Sequence, residues 1–199
     1  MKKVVGIFGG SFNPPCIHHV QIIEYMKRFF DVLIVVPCGI RPDKQSANVI
    51  TPVHRKNMLA IALSDMDDVI IDYHDIDCCT YTPTYLLQKR YEDEFSDGEI
   101  WHIVGGDIIE GGQDGASEIH RTWSRGCEIW QDLNFLVLRR PGYQVSRNDL
   151  PPQSRLVGIS NIFGSGTMAR EYIAAGETTR HLVNDDVSCY IVSNNLYKT

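Results

Sequence analysis

The chain has 199 residues, 43% apolar and 22% charged, with 19 Lys+Arg against 25 Asp+Glu and a net charge of −6. That length and balance suit one globular domain with a sizeable core, and they exclude wholesale disorder, a collagen-like fibre and a broad basic face for nucleic acid. The longest apolar run, Val32-Leu33-Ile34-Val35-Val36, falls far short of the roughly 18 residues a membrane span needs. Gly9-Gly10-Ser11 interrupts the N-terminal apolar stretch, so no targeting segment is expected. Cys16, Cys38, Cys78, Cys79, Cys127 and Cys189 contain no CxxC pair, which points to reduced thiols in a cytoplasm rather than to a disulfide or zinc framework.

In chain order, residues 3–8 read as a short strand and Gly9-Gly10-Ser11-Phe12-Asn13-Pro14-Pro15 as a turn-rich loop. From His19 onward, Ile22, Ile23, Met26, Phe29 and Phe30 recur at helical spacing, and residues 31–37 follow as a buried strand. Strand, crossover and strand at this spacing predict a right-handed parallel unit. Thr51-Pro52 reads as a cap with proline at the first helical position, ahead of Met58, Leu59, Ile61 and Ala62. A strand is expected at 69–71, a helix at 83–91, a strand at 99–104, a helix at 119–126 carrying Trp123, and strands at 135–138 and 155–159. Helices at 167–175, closed by Gly176, and at 185–194 finish the chain. The alternation predicts an α/β fold, an open doubly wound parallel sheet with helices on both faces. The whole of 1–199 reads as one domain, with 165–199 as a C-terminal helical segment. Ligands of such sheets bind at the carboxyl ends of strands, so the loops of interest are 9–19, 37–44, 105–107, 139–143 and 160–167.

The first of these loops carries the strongest chemistry. Backbone amides at Gly9 and Gly10 can approach a phosphate closely, and the next helix presents its positive end at the same place. His18 and His19 stand at that entrance. The pattern is neither GxGxxG nor GxxxxGK[ST], which counts against a dinucleotide fold and a P-loop. A glycine loop, a helix terminus and an imidazole suit an anionic transition state. Taken singly, Lys44 and Arg55 read as surface charges, Asp107 as a helix cap and Trp123 as core.

The run Gly6-Ile7-Phe8-Gly9-Gly10-Ser11-Phe12-Asn13-Pro14-Pro15-Cys16-Ile17-His18-His19 resembles the signature of the nicotinate mononucleotide adenylyltransferases, members of the HxGH nucleotidyltransferase superfamily. The resemblance continues in order along the chain. Residues 37–44 resemble the family's second loop, ending in its lysine, and Arg55 stands at the arginine of the following helix. Tyr81-Thr82-Pro83-Thr84-Tyr85-Leu86 resembles the segment flanking the pyridine ring, Gly105-Gly106-Asp107 the G-x-D nucleotide motif, and Trp123 the ring-stacking tryptophan. Arg140-Pro141-Gly142-Tyr143 resembles the turn after the fifth strand, and Ser165-Gly166-Thr167-Met168-Ala169-Arg170 the S-S-T-x-x-R phosphate loop. The chain departs from the motifs at four places. Cys16 replaces the first histidine, His18 the glycine, Gly166 the second serine, and Tyr85 a threonine.

The resemblance implies adenylyl transfer in NAD biosynthesis: a phosphate oxygen of nicotinate or nicotinamide mononucleotide attacks the α-phosphorus of ATP and pyrophosphate leaves. His19, Arg170, Lys44 and His18 are the implied catalytic residues. ATP is expected at Gly9, Gly10, Ser11, Phe12, Cys16, His19, Gly105, Asp107, Ser165, Thr167 and Arg170. The mononucleotide is expected at Asn13, Lys44, Thr82, Tyr85, Trp123 and Arg140. Mg²⁺ is expected on the substrate phosphates with no protein ligand. The implied partners are ATP and the mononucleotide, with no nucleic acid and no membrane, and a homo-oligomer is compatible. Two other readings fit: a related adenylyl- or cytidylyltransferase with another phosphate acceptor, or a nucleotide-binding homologue weakened by Cys16 and His18.

Overall fold

The computed structural model describes residues 2–41, 49–139, 145–159 and 163–198. Six strands form one sheet: β1 (Val4–Gly10), β2 (Val32–Pro37), β3 (Val69–Ile71), β4 (Glu99–Gly105), β5 (Asn134–Arg139) and β6 (Ser154–Gly158), in the order β3-β2-β1-β4-β5-β6. The pairs β1–β4, β4–β5 and β5–β6 are parallel, with Gly6 opposite Trp101 and Phe135 opposite Ser154. The order reverses between β1 and β4, and sheets of this order bind ligands beyond the carboxyl ends of their strands at such a reversal. The strands form where the sequence runs apolar without alternation, as in Val-Leu-Ile-Val-Val of β2 and Phe-Leu-Val-Leu of β5.

The helices are α1 (Ile17–Met26), α2 (Pro52–Ala62), α3 (His74–Asp77), α4 (Thr84–Glu94), α5 (Gly106–Ile109), α6 (Glu118–Thr122), α7 (Gly126–Asp132), α8 (Gly166–Ala174) and α9 (Asp185–Ser193). Thr51 is the N-cap of α2 without a side-chain capping bond, and Pro52 opens that helix. Gly176 takes the left-handed conformation after α8, with φ 70°. Three local expectations are corrected. Gly9 and Gly10 are the last residues of β1 rather than loop. Residues 119–126 are not one helix, because α6 ends with Trp123 in extended backbone and Arg125 is left-handed at φ 62° before α7 begins. A side chain on Gly126 would strike the carbonyl of Ile119, so only glycine lets the second helix start this close to the first. The third concerns α3 and α5, which are helices of one turn that the apolar periodicity does not register.

Two compact units make up the chain. One comprises Met1–Gly9, Met26–Ile34 and Thr82–Asn161, and the other Gly10–Tyr25, Val35–Tyr81 and Ile162–Thr199. In the first, Asp31 fastens the start of β1 by accepting from the Val4 N–H at 2.8 Å while its own N–H donates to the Val4 carbonyl at 2.8 Å. The Phe30 ring lies against Gly6, where a Cβ would stand 2.5 Å from it. The core of this unit gathers Val104, Ile109, Ile119, Ile129, Trp130, Phe135 and Val137. In the second unit the core gathers Cys16, Met58, Ala169, Leu182, Val183, Val187, Ile191, Leu196 and Tyr197.

The first unit also buries an imidazole. His102 on β4 is 4% exposed and pairs its Nε2 with Gln88 Oε1 at 2.8 Å. Burial pushes its pKa down to about 4. Below pH 6.5 the unfolded chain takes a proton that this folded ring refuses until about pH 4, so stability falls as pH drops through that window. Between pH 7.5 and pH 5 the loss is about 2 kcal/mol from this group. Urea unfolding at the two pH values is expected to show a His102→Gln chain losing that much less than the parent. An unchanged difference would refute the assignment.

Candidate active site

The chain leaving β1 makes an unusual turn. Phe12 is 1% exposed yet has φ 44°, a left-handed conformation that costs a non-glycine residue about 1–3 kcal/mol. Its ring holds it there, meeting the His19 ring edge-on at 5.1 Å. The ring also explains Gly10, since a Cβ there would stand 3.0 Å from Phe12 Cε2 and Cζ. Gly9 has nothing within 4 Å of where its Cβ would be, so its bare backbone face is open to a ligand.

At the start of α1 the backbone carbonyl of Cys16 accepts from the N–H of His19 at 2.9 Å and of Val20 at 3.3 Å. The Cys16 N–H donates to His19 Nδ1 at 2.9 Å. The last of these bonds is one half of a capping box, with histidine in the third helical position where Glu or Gln is usual; the other half is absent, since the Cys16 thiol is turned to the Pro14 carbonyl. It settles the tautomer: Nδ1 accepts and carries no proton, so Nε2–H is the donor of the neutral ring. The His18 ring lies over the His19 ring at 3.9 Å and is itself 2% exposed.

Cys16, where the resemblance expects a histidine, is 1% exposed and belongs to the core of its unit. Its thiol donates to the Pro14 carbonyl at 3.4 Å. Burial pushes the thiol pKa up to about 12 against the lowering pull of Arg170, so at neutral pH it is a small neutral side chain, not a thiolate facing phosphate.

Two guanidinium groups in the same unit are held by carbonyl and hydroxyl oxygens, with no carboxylate partner among the described residues. Arg55 is 1% exposed and donates to the carbonyls of Ser11 at 2.9 Å, Cys38 at 2.6 Å and Gly39 at 2.5 Å. It is therefore a buried structural cation rather than a surface charge. Arg170 on α8 donates to the Asn13 carbonyl at 2.7 Å and to Thr167 Oγ1 at 3.0 Å. Gly166 makes this possible: a Cβ there would lie 3.3 Å from the Asn13 oxygen and 3.4 Å from Arg170 Nη1, tighter than a serine accepts without displacement. Ser165 is the N-cap of α8, its hydroxyl accepting from the Met168 N–H at 3.1 Å. Asn13 is 3% exposed, and its Oδ1 accepts from the Tyr197 hydroxyl at 2.6 Å. That bond turns the amide so that its NH₂ points away from the tyrosine.

The second unit thus brings together Gly10, Ser11, Phe12, Asn13, Cys16, His18, His19, Thr167 and Arg170. In the first unit, Gly105 ends β4 as the N-cap of α5, with Asp107 in that helix's first turn rather than at its cap. Tyr85, on the first turn of α4, and Trp123, after α6, are half-buried against the core of that unit. Arg125 stacks over the Tyr85 ring at 5.3 Å. Thr82 precedes α4 and is half-buried. Lys44 and Arg140 lie outside the described residues, as does the 140–143 turn. Arg55, which taken singly reads as a surface charge, and Tyr197 are residues to which the sequence reading assigns no part in the site. A signal for Arg55 existed, since Met58 and Leu59 at i+3 and i+4 put it on the buried stripe of α2. No local pattern marks Tyr197.

A glycine-ended parallel strand that turns into a helix N-terminus, on a sheet of this order, is the arrangement of a nucleotide-handling α/β protein. The chain belongs to the cytidylyltransferase-like family, whose sequence profile matches residues 7–171. It is 30% identical to the "Probable nicotinate-nucleotide adenylyltransferase" of Leifsonia xyli subsp. xyli, over 98% of this chain and 94% of that protein. It is 26% identical to the nicotinate-nucleotide adenylyltransferase of Bacillus subtilis, over the full length of both. The Plasmodium falciparum nicotinic acid mononucleotide adenylyltransferase complexed with NaAD has the same fold, with a TM-score of 0.80 at 22% identity, over 98% of this chain and 97% of that one. No helix among the described residues is long and apolar enough to cross a membrane, and all six cysteines are free.

Proposed function

We infer that this chain is a nicotinate-nucleotide adenylyltransferase. It transfers the adenylyl group of ATP to nicotinate mononucleotide, or to its nicotinamide counterpart, and releases pyrophosphate in NAD biosynthesis. Its relatives carry that name, and the observation within the chain that supports it best is the capping bond on His19. That bond presets Nε2–H as a neutral donor before any ligand arrives. Such a donor, aimed where charge develops on a phosphoryl oxygen, lowers a barrier without reorganising. Little covalent work is needed in adenylyl transfer, and positioning with charge neutralisation carries the step.

In this reading the α1 end with Gly9, Gly10, Ser11 and Phe12 faces ATP phosphate oxygens. Thr167 and Arg170, at the start of α8, hold the departing pyrophosphate, and Ser165 acts by capping that helix. Arg170 is suited to this because its partners among the described residues are a carbonyl and a hydroxyl, neither of which neutralises its charge. Lys44 adds a point charge. Gly105 and Asp107 meet the ribose, while Asn13, Thr82, Tyr85, Trp123 and Arg140 serve the mononucleotide. The whole chain acts as one transferase domain in the cytoplasm.

Mg²⁺ enters on the phosphates of ATP in this account. The cluster of metal-ligating side chains found among the described residues is Cys16, His18 and His19. This is a nitrogen and sulfur set that does not fit a hard cation, and no step is assigned to protein-held magnesium. The reading is tested by pyrophosphate release from ATP and Mg²⁺ with each mononucleotide. Turnover with at least one is expected. ATP binding without turnover on either would overturn the reading in favour of a non-catalytic nucleotide binder.

Tyr197 acts at one remove through Asn13. Tyr197→Phe is expected to cost about 1 kcal/mol of stability, the worth of one hydrogen bond. It is also expected to raise KM for the mononucleotide severalfold with kcat little changed. Equal losses in kcat and kcat/KM would show that it does not act through substrate positioning.

A further inference from the structure

The two departures at the start of α1 change what the motif can bind. Replacing the first histidine by Cys16 and the glycine by His18 puts a thiol and two imidazoles within the first turn at the start of α1. One ligand atom from each of Cys16, His18 and His19 lies within 4.8 Å of the others. Ligands around a tetrahedral zinc ion are roughly 3.5 Å apart, so side-chain shifts of about 1 Å close the set. Cys16 and His18 are 1% and 2% exposed, whereas His19 is partly open. That is the layout of a three-ligand site with one position left for an outside oxygen.

We propose that Cys16, His18 and His19 form a binding site for a soft divalent cation of the zinc class, and that occupying it disables His19. Coordination removes the thiol proton to solvent and leaves a metal–thiolate bond with two neutral imidazoles. The charge of Arg170 is felt at Cys16 and opposes any dication, so the affinity must come from the thiolate bond. That requirement selects zinc over magnesium. The effect on His19 follows from its hydrogen bond. Coordination through Nδ1 displaces the Cys16 N–H from it. Coordination through Nε2 requires a proton on Nδ1, facing that same N–H. Either way the bond that orients the ring for donation is lost.

Metal binding is read directly on the metal-stripped full chain, by titration with Zn²⁺ against a chromogenic chelator and with Co²⁺ by absorption. One Zn²⁺ per chain and a thiolate-to-cobalt charge-transfer band are expected. Cys16→Ala and His18→Gly, each checked for unchanged unfolding, are expected to weaken binding about 100-fold or more. Cys189→Ala, exposed on α9, is expected to leave it unchanged. Absence of the cobalt band in the parent chain, or equal Zn²⁺ affinity in the parent and Cys16→Ala, overturns the site. The inhibitory consequence rests on the adenylyl-transfer reading and has its own arm: Zn²⁺ abolishes turnover in the parent, a chelator restores it, and excess ATP protects. Stoichiometric binding in a chain that turns over normally with Zn²⁺ bound overturns that consequence and leaves the site. A chain without turnover under any condition speaks only against the functional reading.

Discussion

His19→Ala lowers kcat for adenylyl transfer by about 10²–10³-fold, the range for losing one preorganised donor to a developing oxyanion. The prediction follows from the 2.9 Å bond between the Cys16 N–H and His19 Nδ1. With that nitrogen occupied as an acceptor, the opposite edge of the ring has one thing to offer, an N–H. A group used only as charge builds affects kcat more than KM, so KM for the mononucleotide is expected to stay within a fewfold. Stability is expected to fall by no more than about 1 kcal/mol, because one capping bond is lost and the ring is partly open. His19→Gln separates the two roles, since its side chain reaches back to the Cys16 N–H as the third residue of a capping box does. It restores the stability and not the rate. A fully active His19→Ala chain would remove the motif from the mechanism.

Arg55→Met has the largest expected effect on stability. The three carbonyls it serves, those of Ser11, Cys38 and Gly39, lose their donors together. A buried acceptor left unpaired costs about 1–3 kcal/mol, so the loss is about 3 kcal/mol or more. For a chain of this size that is a fall in Tm of about 6–12 °C. Arg55→Lys recovers only part of it, because an ammonium cannot form the planar fork that reaches three oxygens. The substitution also removes a positive charge that no carboxylate among the described residues neutralises, and KM for ATP rises. A Tm within 2 °C of the parent would show that water replaces the guanidinium at little cost.

The sheet was legible because its strands are buried runs. Residues 69–71 coincide with β3, and the other expected strands fall within two residues of their ends. Those runs depend on local chemistry alone. Trp123 shows where local reading fails. The apolar spacing around it is that of a helix, yet α6 ends at Thr122, and α7 starts close beside it only because Gly126 has no Cβ to strike the Ile119 carbonyl, an accommodation that spacing does not encode. The loop after β1 stood out in the sequence by its glycines and histidines, and the structure gathers Gly10, Ser11, Phe12, Asn13, His18 and His19 in one unit. The two residues that secure it did not stand out, since their roles are tertiary. Arg55 reaches across 44 residues to Ser11 and Tyr197 across 184 to Asn13.

That last span has a consequence for how the protein comes into being. Asn13 leaves the ribosome early and Tyr197 is joined 184 residues later, a delay of roughly 10–40 s at ordinary elongation rates. Throughout that interval the nascent chain lacks the hydroxyl that fixes the Asn13 amide. The Asn13 amide is therefore fixed only once the chain has been made through Tyr197, and a product terminated short of that residue lacks the hydrogen bond.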